Sequence, residues 1–397
     1  MLTEILRQEA ERYLMNTYAR APISIARGRG SRVYDLEGRE YLDFVSGIAV
    51  TVLGHAHPDI VAAIQKQAQQ LLHASNLYHT EPQVRLARTL VEHSFADKVF
   101  FCNSGAEANE AAIKLVRLYA HQRYGVGRHQ IITMLNSFHG RTMATLTATG
   151  QEKVQKGYEP LLAGFTYVPF NDLDAVTKAM TSETAAVMLE PIQGEGGVRV
   201  ADRTYLARLR ELCTERGLLL IFDEVQTGVG RTGTLFAYEQ MGVKPDILTL
   251  AKGLGGGLPI GACLATDDVS SAFTPGSHAS TFGGNPVACA AASAVLHVLV
   301  EGRLLERSRR MGEYLAKGLQ ECKDQIPIVR EVRGLGLLQG MELTVDGHSV
   351  VRDCLARGVL LNCTADRVLR FLPPLIITQS EIDRLLEILT QVLNKRI

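Results

Sequence analysis

The sequence predicts an α/β fold: a large domain around a mostly parallel seven-stranded sheet, plus a small α+β domain built from both termini. Three observations carry this expectation. Seven short apolar runs punctuate the middle of the chain: Val99–Phe101, Gln130–Leu135, Phe165–Phe170, Ala185–Leu189, Leu218–Phe222, Ile247–Leu250 and Ile260–Leu264. Gly, Asn, Asp or Pro bound them, the pattern of buried strands. Longer helix-like stretches such as Glu107–Tyr124 and Asp202–Arg216 lie between several of them, and such alternation builds parallel sheets. The two ends lack this rhythm.

From the N-terminus, Val33–Phe44 reads as a β-hairpin around Leu36-Glu37-Gly38. Within Asp202–Arg216, Tyr205, Leu206, Leu209 and Leu212 recur at helical spacing. After about residue 330, expected strands Gly336–Leu343, Gly358–Asn362 and Val368–Leu372 mix with two helices. The last helix opens on Thr378-Gln379-Ser380-Glu381, a capping-box pattern. These readings divide the chain into residues 1–50 and 291–397 for the small domain and 51–290 for the large one.

Bulk properties narrow the class. The 397 residues suffice for two or three domains, and 46% hydrophobic with 21% charged residues is the profile of a soluble globular protein. Lys plus Arg and Asp plus Glu both number 42, so nucleic-acid binding has no global electrostatic support. The seven cysteines (102, 213, 263, 289, 322, 354 and 363) are scattered and never form CxxC, which argues against a disulfide framework and a zinc site. The stretch Met1–Arg20 carries Glu4, Glu9 and Glu11 and no long apolar run, so it reads as neither secretory signal nor transit peptide. No apolar run approaches the ~18 residues of a membrane span. The expected compartment is the cytoplasm, with no membrane partner.

The chemistry gathers in three places. The run Leu218–Phe222 delivers Asp223, followed by Glu224, Val225 and Gln226, at the carboxyl end of a buried strand, where open α/β sheets bind ligands. A second apolar strand ends at Lys252, with a Gly-rich loop behind it. Such a lysine could simply cap its strand in solvent. Beside an acid, and partly desolvated, it instead becomes a nucleophile toward an aldehyde, with the acid available to protonate a pyridine nitrogen. Asn103-Ser104-Gly105-Ala106-Glu107 turns a strand into a helix start, which is either a well-capped helix or an anion site. Ser137-Phe138-His139-Gly140-Arg141-Thr142 offers an aromatic for a planar ring and an arginine for a carboxylate, or else a solvated surface loop.

Together these pieces resemble the class III aminotransferases of fold type I. Gly54-His55-Ala56-His57-Pro58, Ser75 to Gln83 and the glycines after Lys252 extend the resemblance over essentially the whole chain. It implies pyridoxal 5′-phosphate bound to Lys252 as a Schiff base, with Lys252 also shuttling the proton. It implies Asp223 at the pyridine nitrogen, Gln226 at the phenolic oxygen, and Phe138 and Val225 on the two ring faces. Ser104, Gly105 and Ala106 would cradle the phosphate, and Glu224 joins the expected cofactor contacts. Thr281 matches a residue that reaches the phosphate of the other subunit, implying a homodimer with shared active sites. Arg141, Ser280 and Tyr18 match substrate contacts. Glu195 and Arg370 resemble a switch pair that lets one site take two different substrates, or else a static ion pair. Ile48 stands where free-ornithine enzymes carry tyrosine, which favours an N-acylated donor. The implied reaction passes the δ-amino group of N2-acetyl-L-ornithine to 2-oxoglutarate, a step of arginine biosynthesis. Other ω-amino donors (succinylornithine, N-succinyl-diaminopimelate, ornithine, 4-aminobutyrate) stay open within the family.

Three further signals carry less. Gly228-Val229-Gly230-Arg231-Thr232-Gly233 is a literal G-x-G-x-x-G, the basis of a rival nicotinamide oxidoreductase, yet no long helix and no properly placed acid follow it. His55 and His57 lack carboxylates at ligand spacing and read as a turn, not a metal site. Arg27, Arg29 and Arg32 read as a solvated hairpin edge. A catalytically silent binding protein is the remaining rival, and the intact Lys252, Asp223 and Arg141 set argues against it.

Overall fold

In the computed structural model, which describes residues 2–396, seven strands form one sheet. They are Lys98–Cys102 (β1), Gln130–Met134 (β2), Phe165–Val168 (β3), Thr184–Leu189 (β4), Leu219–Asp223 (β5), Ile247–Leu250 (β6) and Gly261–Ala265 (β7). Their spatial order is β1-β7-β6-β5-β4-β2-β3. β7 runs antiparallel to β6 and β1, and the other pairings are parallel. Every residue of β4, β5, β6 and β7 is buried, as expected where both sheet faces are covered. That is why these strands read as unbroken apolar runs. Alternate residues serve opposite faces: Leu220, Phe222 and Leu248 join one core cluster, Ile221 and Ile247 another.

The helix Gly105–Tyr124 starts at its N-cap Ser104, whose side chain accepts from Glu107 N. The helix Arg203–Arg216 starts at Asp202 in the same way, accepting from Tyr205 N, and ends at Gly217 in the left-handed region.

The termini share a sheet. Arg32–Asp35 and Glu40–Asp43 form the expected hairpin, Ile25–Arg29 adds a strand on one side, and Val359–Leu360 joins parallel on the other. A second sheet holds Val329–Leu335, Leu338–Leu343, Val368–Phe371 and Asn362–Thr364, all antiparallel. Two expectations change here. The strand expected from Gly336 is the second arm of a hairpin, because the chain reverses at Gly336, whose φ is +54°. The strand Gly358–Asn362 divides between the two sheets, since Leu42 and Arg370 offer it pairing partners in different places. The final helix Gln379–Asn394 is capped as the sequence suggests, with Glu381 accepting from Thr378 N at 3.0 Å. Helix Pro286–Val300 packs on the helices Pro58–Ala68 and Glu81–Glu92 of the large domain; after a 70° bend, Leu304–Gln325 packs on the C-terminal hairpin. We propose the division 1–50, 51–290 and 291–397, supported by the sheet that the two terminal segments share.

The weaker signals find structural roles. The Gly228–Gly233 run is buried, Arg231 donates to the carbonyl of Leu337 at 3.1 Å, and the following helix Ala237–Met241 has five residues. It joins the large domain to the C-terminal segment. His55 Nε2 lies 2.8 Å from Asp43 Oδ2, and His57 caps the helix Pro58–Ala68. Arg32 is not simply solvated: it pairs with Glu40 and Glu381, tying the hairpin to the last helix. All seven cysteines are free. Among the described residues no single helix is long and apolar enough to cross a membrane.

Candidate active site

Register brings the acid and the lysine together. Asp223 closes β5 and pairs with Thr249 of β6, three residues before Lys252. Lys252 itself has φ +42°, a left-handed conformation that costs a non-glycine residue of the order of 1–3 kcal/mol. Gly253 lets the backbone behind it close up, since a Cβ there would sit 2.7 Å from Val52 Cγ1. Burial pushes the Lys252 ammonium below its ordinary range; Glu195 opposes that shift and Arg370 reinforces it.

Asp223 is held on several sides. Its Oδ2 accepts from Asn109 Nδ2 at 2.7 Å and lies 2.8 Å from His139 Nδ1; its Oδ1 accepts from Val225 N at 3.0 Å. Asn109 also donates to the His139 carbonyl and accepts from Thr249 Oγ1. One buried amide therefore locks the helix Gly105–Tyr124, the loop after β2 and the strands β5 and β6 into a single frame.

Ser104, Gly105, Ala106, Phe138, Arg141, Glu195, Asp223, Val225, Gln226 and Lys252 all line one cavity of about 450 Å³. Gly105 comes so close to Val225 that a Cβ would lie 2.7 Å from its Cγ1. The first-turn amides of such a helix have no intrahelical partner and favour an anion. The Arg141 guanidinium sits 5.6 Å from the Phe138 ring centroid.

Arg370, fully buried, donates from Nη1 to Glu195 Oε1 at 2.7 Å and to Gln226 Oε1 at 3.1 Å, while its Nη2 has no partner among the described residues. Burial raises the Glu195 pKa, but the nearby Arg370 and Lys252 charges outweigh it and hold the carboxyl below its usual range. Gly194 makes room for this arrangement: a Cβ there would overlap Gln226 Oε1 at 2.0 Å.

Other expected residues lie elsewhere. Glu224 is turned away from the cavity, and its two oxygens accept from Ala237 N and Tyr238 N. It follows Asp223 directly, and successive side chains of an extended chain face opposite ways. Ser280 stands one bond behind the lining, accepting from Asn103 Nδ2 at 3.2 Å. Thr281 is exposed, beside a separate small cleft with Asn76 and Gly284. Tyr18 is 70% exposed and lies outside the Lys252 cavity; the neighbouring helix Leu2–Tyr13 buries none of its residues. Ile48 is exposed, with φ +65°.

Glu190, not singled out from the sequence, lines the cavity just after β4 and accepts from Phe138 N at 3.0 Å. Burial, then the Asp223 charge, push its pKa well above the usual carboxylate range. The rule that singled out Asp223, an acid at the carboxyl end of a buried strand, applied equally to Glu190.

Comparison with known proteins matches this geometry to a family. A sequence model described as Aminotransferase class-III matches residues 13–393. The chain is 55% identical to an acetylornithine aminotransferase of Caldanaerobacter subterraneus subsp. tengcongensis, covering 97% of this chain and 98% of the relative. It is 50% identical to one of Aquifex aeolicus, covering 96% and 100%. Among solved structures, an ornithine aminotransferase from Toxoplasma gondii superposes with a TM-score of 0.96 at 35% identity, covering 99% of this chain and 95% of that one. An N-acetylornithine aminotransferase from Stenotrophomonas maltophilia gives 0.84 at 40% identity, covering 98% of each. A lysine and a braced aspartate at the carboxyl ends of neighbouring central strands, a helix start beside them and a match over nearly the full length lead to one conclusion: the chain belongs to the class III aminotransferases.

Proposed function

We propose that this chain transfers the δ-amino group of N2-acetyl-L-ornithine to 2-oxoglutarate, giving N-acetyl-L-glutamate 5-semialdehyde and L-glutamate, with pyridoxal 5′-phosphate carried on Lys252. Relatives named acetylornithine aminotransferase, at 50–55% identity over nearly their full lengths, support this donor and a place in arginine biosynthesis. The residues fit the cofactor. The Gly105 turn suits a phosphate, Asp223 suits a pyridine nitrogen, and the desolvated Lys252 amine suits an aldehyde. When bound, the protonated ring supplies an electron sink at the reacting carbon.

The protein supplies the rest. Asp223, braced by Asn109 and His139, would keep the ring nitrogen protonated. Lys252, desolvated at the cavity wall, would hold the cofactor and serve as the base and acid for the proton that moves during transamination. Phe138 and Val225 would hold the two ring faces, Gln226 would meet the phenolic oxygen, and Arg141 would bind the donor carboxylate. The observation that carries the two-substrate reading is the Glu195–Arg370 pair at 2.7 Å, with Arg370 Nη2 left without a partner among the described residues. The donor brings an uncharged methylene to the reacting position, so Arg370 stays neutralised by Glu195. A 2-oxo acid brings a carboxylate beside its reacting carbon, and Arg370 would offer it Nη2 and the Nη1 that Glu195 releases. The exposed Thr281 and Phe282 suit a homodimer in which Thr281 reaches the partner's phosphate and Tyr18 and Ser280 complete the substrate contacts. We place the enzyme in the cytoplasm.

The test is a panel of amino donors followed spectroscopically through the first half-reaction, with borohydride fixation of the cofactor. Acetylornithine should give the highest kcat/KM, and the label should sit on the peptide of Lys252. A clear preference for succinylornithine, ornithine or 4-aminobutyrate overturns the donor. A protein that takes up no pyridoxal phosphate overturns the whole reading.

A further inference from the structure

Arg370 is anchored by groups other than Glu195. Its Nε donates to Asn362 Oδ1 at 3.1 Å, and Nη1 also reaches Gln226 Oε1. Asn362 is the register partner of Arg370 in the short strand Asn362–Thr364. Two residues on, Thr364 donates its hydroxyl to the main-chain carbonyl of Glu195. Alternation in a strand puts Asn362 and Thr364 on one face. Cys363 takes the other face, where its Sγ would meet a Cβ placed on Gly347. One three-residue strand therefore touches both members of the ion pair, the guanidinium of one and the main chain of the other.

We propose that Asn362–Thr364 is the positioning element of the Glu195–Arg370 pair, and that Asn362 determines how Arg370 meets the carboxylate of a 2-oxo acid. This rests on the two-substrate reading given above. A guanidinium can grip a carboxylate side-on, through Nε and Nη2, or end-on, through Nη1 and Nη2. Asn362 occupies Nε and closes the side-on edge. When Glu195 withdraws, the end-on fork is what remains, and its plane is already set by Asn362 and Gln226. Thr364 acts on the other partner, holding the Glu195 main chain so that its carboxylate swings from a stationary base.

The two positions should separate the half-reactions. Asn362→Leu keeps the branched shape and removes the acceptor. In the holoenzyme, its apparent Kd for 2-oxoglutarate should rise about tenfold, the scale of one lost hydrogen bond at a buried charge, while the donor half-reaction changes less than about twofold. Calorimetric binding of glutarate, a dicarboxylate that cannot react, should weaken in parallel. Thr364→Val should show the opposite split, raising the donor KM a few-fold and leaving the oxo-acid step in place. Equal effects on both half-reactions, or none in either variant, would overturn the proposal. If one variant does not fold, the other still decides. A wild-type enzyme that fails to turn over any 2-oxo acid would instead count against the two-substrate reading itself.

Discussion

Replacing Glu195 by Gln tests the ion pair directly. The substitution keeps the length and one acceptor oxygen but removes the charge that neutralises Arg370 at 2.7 Å. In the resting protein a 2-oxo acid must displace Glu195 before its carboxylate can use Arg370, so the pair opposes acceptor binding by its own strength. Charge-assisted hydrogen bonds contribute roughly 1.5–3 kcal/mol. Arg370 is fully buried, but the Glu195 side chain retains 29% exposure, and water screens that end. The lower part of the range applies, about 1.5–2 kcal/mol, or ~10- to 30-fold in an equilibrium constant. In Glu195→Gln the Kd for 2-oxoglutarate should therefore fall by about that factor. The donor KM should rise, because an uncompensated guanidinium now faces an uncharged methylene. Stopped-flow single turnovers of each half-reaction, run separately, read both constants. Movement of the two constants in the same direction would refute the argument, since a general structural defect does that and a switch does not.

Three other outcomes follow from the same structure. Arg141→Ala should raise the KM for the acyl-ornithine donor by a factor worth roughly 1.5–3 kcal/mol with the visible spectrum unchanged; an unaltered KM would place the donor carboxylate elsewhere. Burial lowers the Lys252 pKa from the ordinary 10.5, and a lowered amine pKa means more neutral nucleophile at a given pH. Pyridoxal phosphate uptake by the cofactor-free enzyme should therefore accelerate with pH and level off below the ordinary lysine value; a midpoint at or above it would contradict the desolvated amine. Gly312→Ala would put a Cβ 2.4 Å from the Gly336 carbonyl carbon, between the helix Leu304–Gln325 and the C-terminal hairpin. Overpacking of this kind costs about 1–3 kcal/mol, so the Tm should drop, whereas a stabilised variant would show that the helix does not pack there so closely.

Much of the fold was legible because its signals are local. The seven apolar runs mark the seven strands within two residues at every end, since a strand buried on both faces must be apolar throughout. The Thr378–Glu381 box announces the last helix because the Glu381 side chain answers the Thr378 amide three residues away. The division of Gly358–Asn362 between two sheets was hidden, because its pairing partners, Leu42 and Arg370, come from distant parts of the chain.

The same line runs through the site. Chain order alone pointed to Lys252, Asp223, the Ser104 turn and the Phe138–Arg141 loop as candidates, since each sits where a strand or helix ends. Their convergence on one cavity, the Asn109 brace behind Asp223 and the Asn362 contact on Arg370 came from assembly. So did the displacement of Glu224 and Tyr18 from that cavity. A residue's type and its place on a strand are written into neighbouring positions. Which way its side chain faces, and what it meets there, depends on register and packing between segments far apart in the chain.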